Sequence, residues 1–295
     1  MGTIAQLGAL LLSATILLTG NGLQTTLLPL RAEAEAFSAL SIGIMGSNYF
    51  IGFVAGCLTA SQLVRRVGHI RVFTAMAAIA SVIPLLHILF LAEVAWWFLR
   101  AGTGYCIASL FLVIESWLNE RAENAVRGTV FSIYTSLTFV AIIAGQVLLS
   151  LYDPAGFAAF IVASVIISLA AVPVALTAIV PPAQIQPGRL NPLRLVRLSS
   201  AGAAGCFAAG LVTGAFWSLA PVAASSAGLD ARGVAIFIGV TVLGGTLSQW
   251  PFGRISDRVD RRLVIVLSAG LSALTGFALF WASRSWTPGV PPLAF

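Results

Sequence analysis

The sequence predicts an all-α fold, a polytopic bundle of membrane-spanning helices, and three observations carry that prediction. The 295 residues are 59% hydrophobic and 9% charged, with a mean hydropathy of +0.98, whereas soluble domains are roughly 45–50% apolar. Apolar runs recur from end to end, each of about twenty residues and so able to cross a hydrocarbon layer of about 30 Å as a helix. Short loops punctuated by Arg, Pro and Gly stand between them. Lipid is therefore the solvent, and within it each backbone donor must be satisfied inside its own helix.

Nine spans follow in order. Ile4–Leu30 is the first, read as a span because a signal peptide would have a basic start and a shorter apolar run. RAEAEAF separates it from Ser38–Val64, and RRVGH separates that from Ile70–Leu91. Val94–Leu118 and Gly128–Leu151 flank a loop rich in Glu and Arg, and YDPAG precedes Phe157–Val180. After Pro181–Arg197, whose PPAQIQPGRLNPLR reads as a linker, come Ser199–Pro221, Gly233–Phe252 and Leu263–Ala282. The expected organisation is a six-helix half over 1–180, a cytoplasmic linker over 181–198 and about three helices of a second half over 199–295.

All sixteen basic residues are arginine, and they give a net charge of +6. They sit in short loops, with no stripe of basic and aromatic residues to follow a phosphate backbone, so nucleic acid is excluded as a partner. Loops left in the cytoplasm retain arginine. The loops after the even-numbered spans hold twelve, from Arg65 to Arg262, whereas those after the odd-numbered spans hold Arg31, Arg232 and Arg284. That places the N-terminus in the cytoplasm. Cys57, Cys106 and Cys206 stand singly inside spans, without CxxC pairs and with His69 and His87 the only histidines. They read as small buried thiols; neither a metal framework nor a cofactor is expected.

An offset of 192 residues pairs Gly22 with Gly214, Pro29 with Pro221, Gly52 with Gly244 and Arg66 with Arg258, a signal for two parallel repeats. The loop after the eighth span reads GRISDRVDRR, from Gly253 to Arg262. A bare positive-inside loop needs arginine but not Gly253, Asp257 and Arg258 at that spacing. The glycine lets helices approach, the aspartate suits a partner arginine or a helix terminus, and the basic run holds the turn at an anionic leaflet. In the loop after the second span Arg66 and Gly68 stand at the matching places, with Ser61 and Arg65 where the later copy has Gly253 and Asp257.

These loops resemble the G-x-x-x-D-R-x-G-R-R signature of the major facilitator superfamily. Arg100 and Gly104 are similar to its R-x-x-x-G element in the fourth helix, and Glu120 with Arg127 fits the E-x6-R spacing of sugar-porter relatives. The stretch ESWLNERAENAVR, from Glu115 to Arg127, resembles the YcaD-like bacterial group, while the fifth span lacks the Gly-Pro pair of drug–proton antiporters. Each loop copy departs from the signature, since Asp260 stands where its second glycine would fall.

The resemblance implies two halves rocking about a midplane site, with the first, fourth, seventh and tenth helices lining the cavity. That promotes Asn21, Gln24, Arg100 and Trp217 as substrate-binding candidates, then Asn48 and Tyr49. Arg66, Gly68, Glu120, Arg127, Gly253, Asp257 and Arg258 become candidates for gating loops. A central arginine costs about 2.5–3.5 kcal/mol on insertion scales, which favours a functional Arg100. Snorkelling is the alternative, because the outer boundary is only about 9 Å away at helical rise. Arg100, Gly104, Ala108, Phe111 and Glu115 follow helical spacings and share one face. Glu115 is either a coupling group exchanging protons or a carboxylate at the inner interface.

The function expected is secondary active transport of a small solute across the bacterial inner membrane by a monomer. Membrane lipid and protons are the other expected partners. A receptor or scaffold on a transporter fold is the alternative. No nucleophile–base pair, HExxH or phosphate loop is present, so an enzyme is not expected. Superfamily architecture calls for twelve helices, so the chain is expected to stop three short.

Overall fold

The computed structural model describes residues 3–122, 127–176 and 197–284. Ten helices follow in order: α1 (Thr3–Ala34), α2 (Ala39–Val67), α3 (His69–Leu89), α4 (Glu93–Arg121), α5 (Arg127–Leu149), α6 (Ala158–Leu169), α7 (Ala171–Ala175), α8 (Ser200–Ser226), α9 (Ala231–Arg258) and α10 (Arg261–Arg284). Among the described residues eight spans are long and apolar enough to cross a membrane, with α6 and α7 counting as one, Ala158–Ala175. In α10 the apolar part, Arg262–Ala278, is shorter. The expected linker lies almost wholly outside the described residues.

Helix ends match the sequence reading where a cap marks them. Ser38 accepts from the Ser41 N–H at 3.1 Å and starts α2, and Ser199 does the same for Gly202 at the start of α8. The reading fails at Pro221, where the seventh span was expected to end. The helix runs through it to Ser226, as α1 runs through Pro29 and α9 through Pro251. Proline is tolerated inside spans because neighbouring helices re-satisfy the freed carbonyl. By contrast, Pro173 explains the break between α6 and α7, since it cannot donate to the carbonyl four residues earlier.

The chain forms two compact units, Met1–Leu243 and Gly244–Phe295. In the first, α2 packs chiefly on α4 and α1 on α5 and α6. Both main pairs meet through glycine. A Cβ on Gly52 would overlap the Ala101 carbonyl, and one on Gly104 the Tyr49 carbonyl. Likewise a Cβ on Gly22 would come within 3.0 Å of the Ile142 Cα, and one on Gly145 within 2.5 Å of the Leu23 nitrogen. Lipid tails are as apolar as leucine, so helices associate in a membrane by this kind of close backbone packing.

Two apolar clusters result. One gathers Leu7 to Leu17 of α1 with Val64, Phe73, Leu110, Trp117 and Tyr134. The other gathers Leu23 to Ala32 with Met45, Trp96, Leu149, Phe160 and Ile238. Between them runs a belt of polar and small residues: Thr19 to Gly22 on α1, Asn48 to Gly52 on α2 and Arg100 to Gly104 on α4.

Candidate functional site

The belt holds the first group of candidates. Arg100 is 6% exposed, and its Cζ lies 4.5 Å from the centre of the Tyr49 ring. Its guanidinium thus turns into the bundle and stacks on an aromatic face, an attraction worth about 2 kcal/mol when desolvated. The Asn21 amide stands beside the Tyr49 hydroxyl, so α1, α2 and α4 meet at one point. Gln24, one turn further along α1, is fully buried. Asn48 is half-buried next to Tyr49. Trp217 is placed on α8, edge-on to Phe216 at 5.3 Å.

In and next to this belt several polar atoms are buried without a hydrogen-bond partner. They include Arg100 Nε and Nη1, Asn21 Oδ1, both amide atoms of Gln24 and His87 Nε2. Such atoms are uncommon in folded proteins and require a reason. His87, one of the two histidines of the sequence, lies on α3. Its Nδ1 lies 2.9 Å from the Ile83 carbonyl, its ring meets Trp96 edge-on at 4.9 Å, and it lies within electrostatic reach of Arg100.

Towards the other end of α4 a cleft of about 720 Å³ opens, lined by Phe53, Cys57, Ala108, Phe111, Glu115 and Asn119 among others. The expected stripe on α4 is therefore real. Gly104 meets Tyr49, Ala108 meets Gly56, and Glu115 faces the cleft. Cys57 of α2 and Tyr134 of α5 lie within electrostatic reach of the Glu115 carboxylate. Phe53 joins the two regions, since it lines the cleft and stands 6.2 Å from Tyr49, ring to ring.

At the opposite end α8 closes against α1 and α2. The Ser226 hydroxyl donates to Glu33 at 3.3 Å, Ser218 fills the space beside Gly46, and the Phe50 ring lies against Gly214. Phe50 is also edge-on to Tyr49 at 5.3 Å, so one file of contacts runs from Arg100 to α8. Gln146 follows Gly145 in α5. It donates to the Gly22 carbonyl at 2.9 Å, and Gly145 is what lets it reach. A glycine followed by an amide was the available signal.

The loop candidates divide. Gly68 ends α2 at φ 89°, a conformation that favours glycine, and its N–H returns to Val64 at 2.8 Å. Where Asp260 replaces glycine in the later copy, its carboxylate instead caps α10, accepting from the Arg262 N–H at 2.9 Å. Arg66 is exposed at the end of α2, and Arg127 is exposed at the start of α5. Glu120 acts electrostatically on His69, whose ring lies 6.0 Å from that of Trp117. Gly253, Asp257 and Arg258 are helical in the last turns of α9, and the side chains expected to form a latch there lie outside the described residues.

The family model of the Major Facilitator Superfamily matches residues 10–293. An uncharacterized MFS-type transporter of Enterobacter sp. (strain 638) is 28% identical over 94% of this chain and 75% of its own length. The uncharacterized MFS-type transporter YcaD of Escherichia coli (strain K12) is 28% identical over 95% of this chain and 74% of its own. Among solved structures, a mutant of nucleoside transporter NupG superposes with a TM-score of 0.68 at 15% identity, over 86% of this chain and 68% of that one. That likeness concerns the fold. A family match through nearly the whole chain, on a bundle built of membrane-length helices, shows that this chain belongs to the Major Facilitator Superfamily as a multi-pass membrane transporter and not an enzyme.

Proposed function

We propose that the chain moves a small solute across the bacterial cytoplasmic membrane by alternating access, with the N-terminus in the cytoplasm and a proton gradient as the drive. The halves 1–180 and 199–295 would rock about the belt between the two apolar clusters. One observation carries this reading. The belt holds Arg100, buried with Nε and Nη1 unpartnered, linked through Tyr49 and Phe50 to α8 on one side and through Tyr49 and Phe53 to an open cleft on the other. That is the arrangement of a carrier closed on one side.

Glu115 supports the proton drive. It is the carboxylate of that cleft and shares the α2-facing side of α4 with Arg100, about 22 Å away along the helix. The two do not touch, so coupling runs through alternate exposure. Arg100→Ala is expected to abolish uptake into vesicles at normal expression. Glu115→Gln is expected to keep solute binding while uptake loses its dependence on pH. An unchanged pH profile in that variant would reduce Glu115 to an interfacial carboxylate. Topology has its own test in a chain freed of Cys57, Cys106 and Cys206. A cysteine at Asp153 should react with an impermeant reagent in intact cells and one at Arg121 should not; the reverse pattern would invert the assignment.

A further inference from the structure

We propose that the solute is a small organic oxyanion and that its acidic group is held by Arg100 in the belt between α1, α2 and α4. The inference rests on the transport reading above and names the chemistry of that site. Arg100 is the starting point because its charge is both buried and uncompensated. No Asp or Glu among the described residues lies within ion-pair distance of it, and Nε and Nη1 donate to nothing. Arg31 shows the ordinary solution: it is as buried, and it is paired with Glu35 at 2.6 Å.

The Tyr49 ring stabilises the cation through its face but offers no acceptor in that direction. A cation–π contact replaces part of the lost hydration and none of the lost hydrogen bonds. The surroundings are neutral: the Asn21 amide beside the Tyr49 hydroxyl, with its carbonyl oxygen unpartnered, and the His87 ring, with Nε2 unpartnered; one turn along α1 the Gln24 amide is fully buried and unpartnered on both atoms. A carboxylate or phosphate oxygen would supply the missing charge and accept from the guanidinium. A neutral solute would leave the cation as it is. Carrying a proton on Glu115 with such an anion also makes the translocated load neutral, which the inside-negative potential would otherwise oppose.

Access requires movement, because Tyr49 covers the guanidinium and Phe50 ties Tyr49 to Gly214 of α8. The file of contacts therefore doubles as the closed door of the site.

Thermal unfolding of the purified chain at constant ionic strength tests the proposal. The probes are benzoate, gluconate and inorganic phosphate, with chloride as the salt control and uridine as a neutral solute. At least one oxyanion should raise the Tm, and chloride and uridine should not; which oxyanion acts separates a carboxylate from a phosphate site. Arg100→Gln should raise the Tm of the unliganded protein by removing a buried unpaired charge, and should weaken anion binding by about tenfold to a hundredfold, the scale of charge-assisted hydrogen bonds. Arg100→Lys should keep part of the binding.

The proposal is overturned if no oxyanion stabilises the wild type, if Arg100→Gln keeps the full shift, or if Arg100→Gln unfolds more easily or fails to fold, which would make Arg100 a structural cation. Binding in detergent needs no transport. Anion binding without uptake in vesicles would therefore sink the transport reading alone.

Discussion

A 192-residue offset pairs Gly22 and Pro29 of α1 with Gly214 and Pro221 of α8, yet 61% of the most apolar window of α1 is buried and only 6% of that of α8. Hydropathy runs the other way, at 1.3 for α1 and 1.6 for α8. In lipid, then, apolarity says that a helix spans and nothing about how many neighbours it has. What separates the two is whether their small residues are met. Gly20 and Gly22 of α1 lie against α6 and α5, whereas a Cβ at Gly205 or Gly210 of α8 would meet nothing within 4 Å. The later part of α8, from Gly214 to Ser226, engages α1 and α2.

The sharpest way to break this comparison is to enlarge the paired glycines. Gly22→Leu drives a side chain into the α5 backbone at Ile142 and should cost more than about 3 kcal/mol, beyond the usual range for overpacking. Loss of monodisperse protein on size exclusion would register it. Gly214→Leu meets a movable ring, that of Phe50, and should cost less than about 1 kcal/mol in denaturant unfolding. Equal losses for the pair would show that α8 is held as firmly as α1.

A smaller effect is expected at Gln146. Replacing it by Ala removes the bond to the Gly22 carbonyl and should lower stability by about 0.6–1.7 kcal/mol, the scale of polar contacts between membrane helices. The smallest is Gly210→Ala, which fills open space and exchanges glycine for the best helix former, a change of at most about 1 kcal/mol in favour of the fold. A clear destabilisation there would reveal a partner for the early part of α8.

Much of the architecture was legible because lipid leaves few options. Apolar run length and charged or Pro/Gly punctuation located α1 to α5 to within a few residues. Pro221 misled, since a residue that ends helices in water is tolerated in a span. The stripe from Arg100 to Glu115 was legible from spacing along one helix. The stacking of Arg100 on Tyr49 was not, because it depends on how α2 is rotated against α4, and that rotation is set by Gly52 and Gly104 meeting backbone to backbone. For the same reason the Thr59–Tyr105 hydroxyl pair, at 3.1 Å across those helices, left no mark in either segment.

The central place of α1 also carries a consequence for synthesis. It leaves the ribosome first, but α5 begins at Arg127 and α6 at Ala158. At 5–20 residues per second, α1 waits about 5–20 s after its own completion before even the first of these partners starts to be made. During that interval Gly20 and Gly22, on either side of Asn21, have no α6 or α5 to pack against. The residues that make α1 useful to the finished carrier are thus a liability to the nascent one. A charge added beside Asn21 should therefore act at insertion, emptying the membrane of the protein, before any question of how well the finished bundle packs arises.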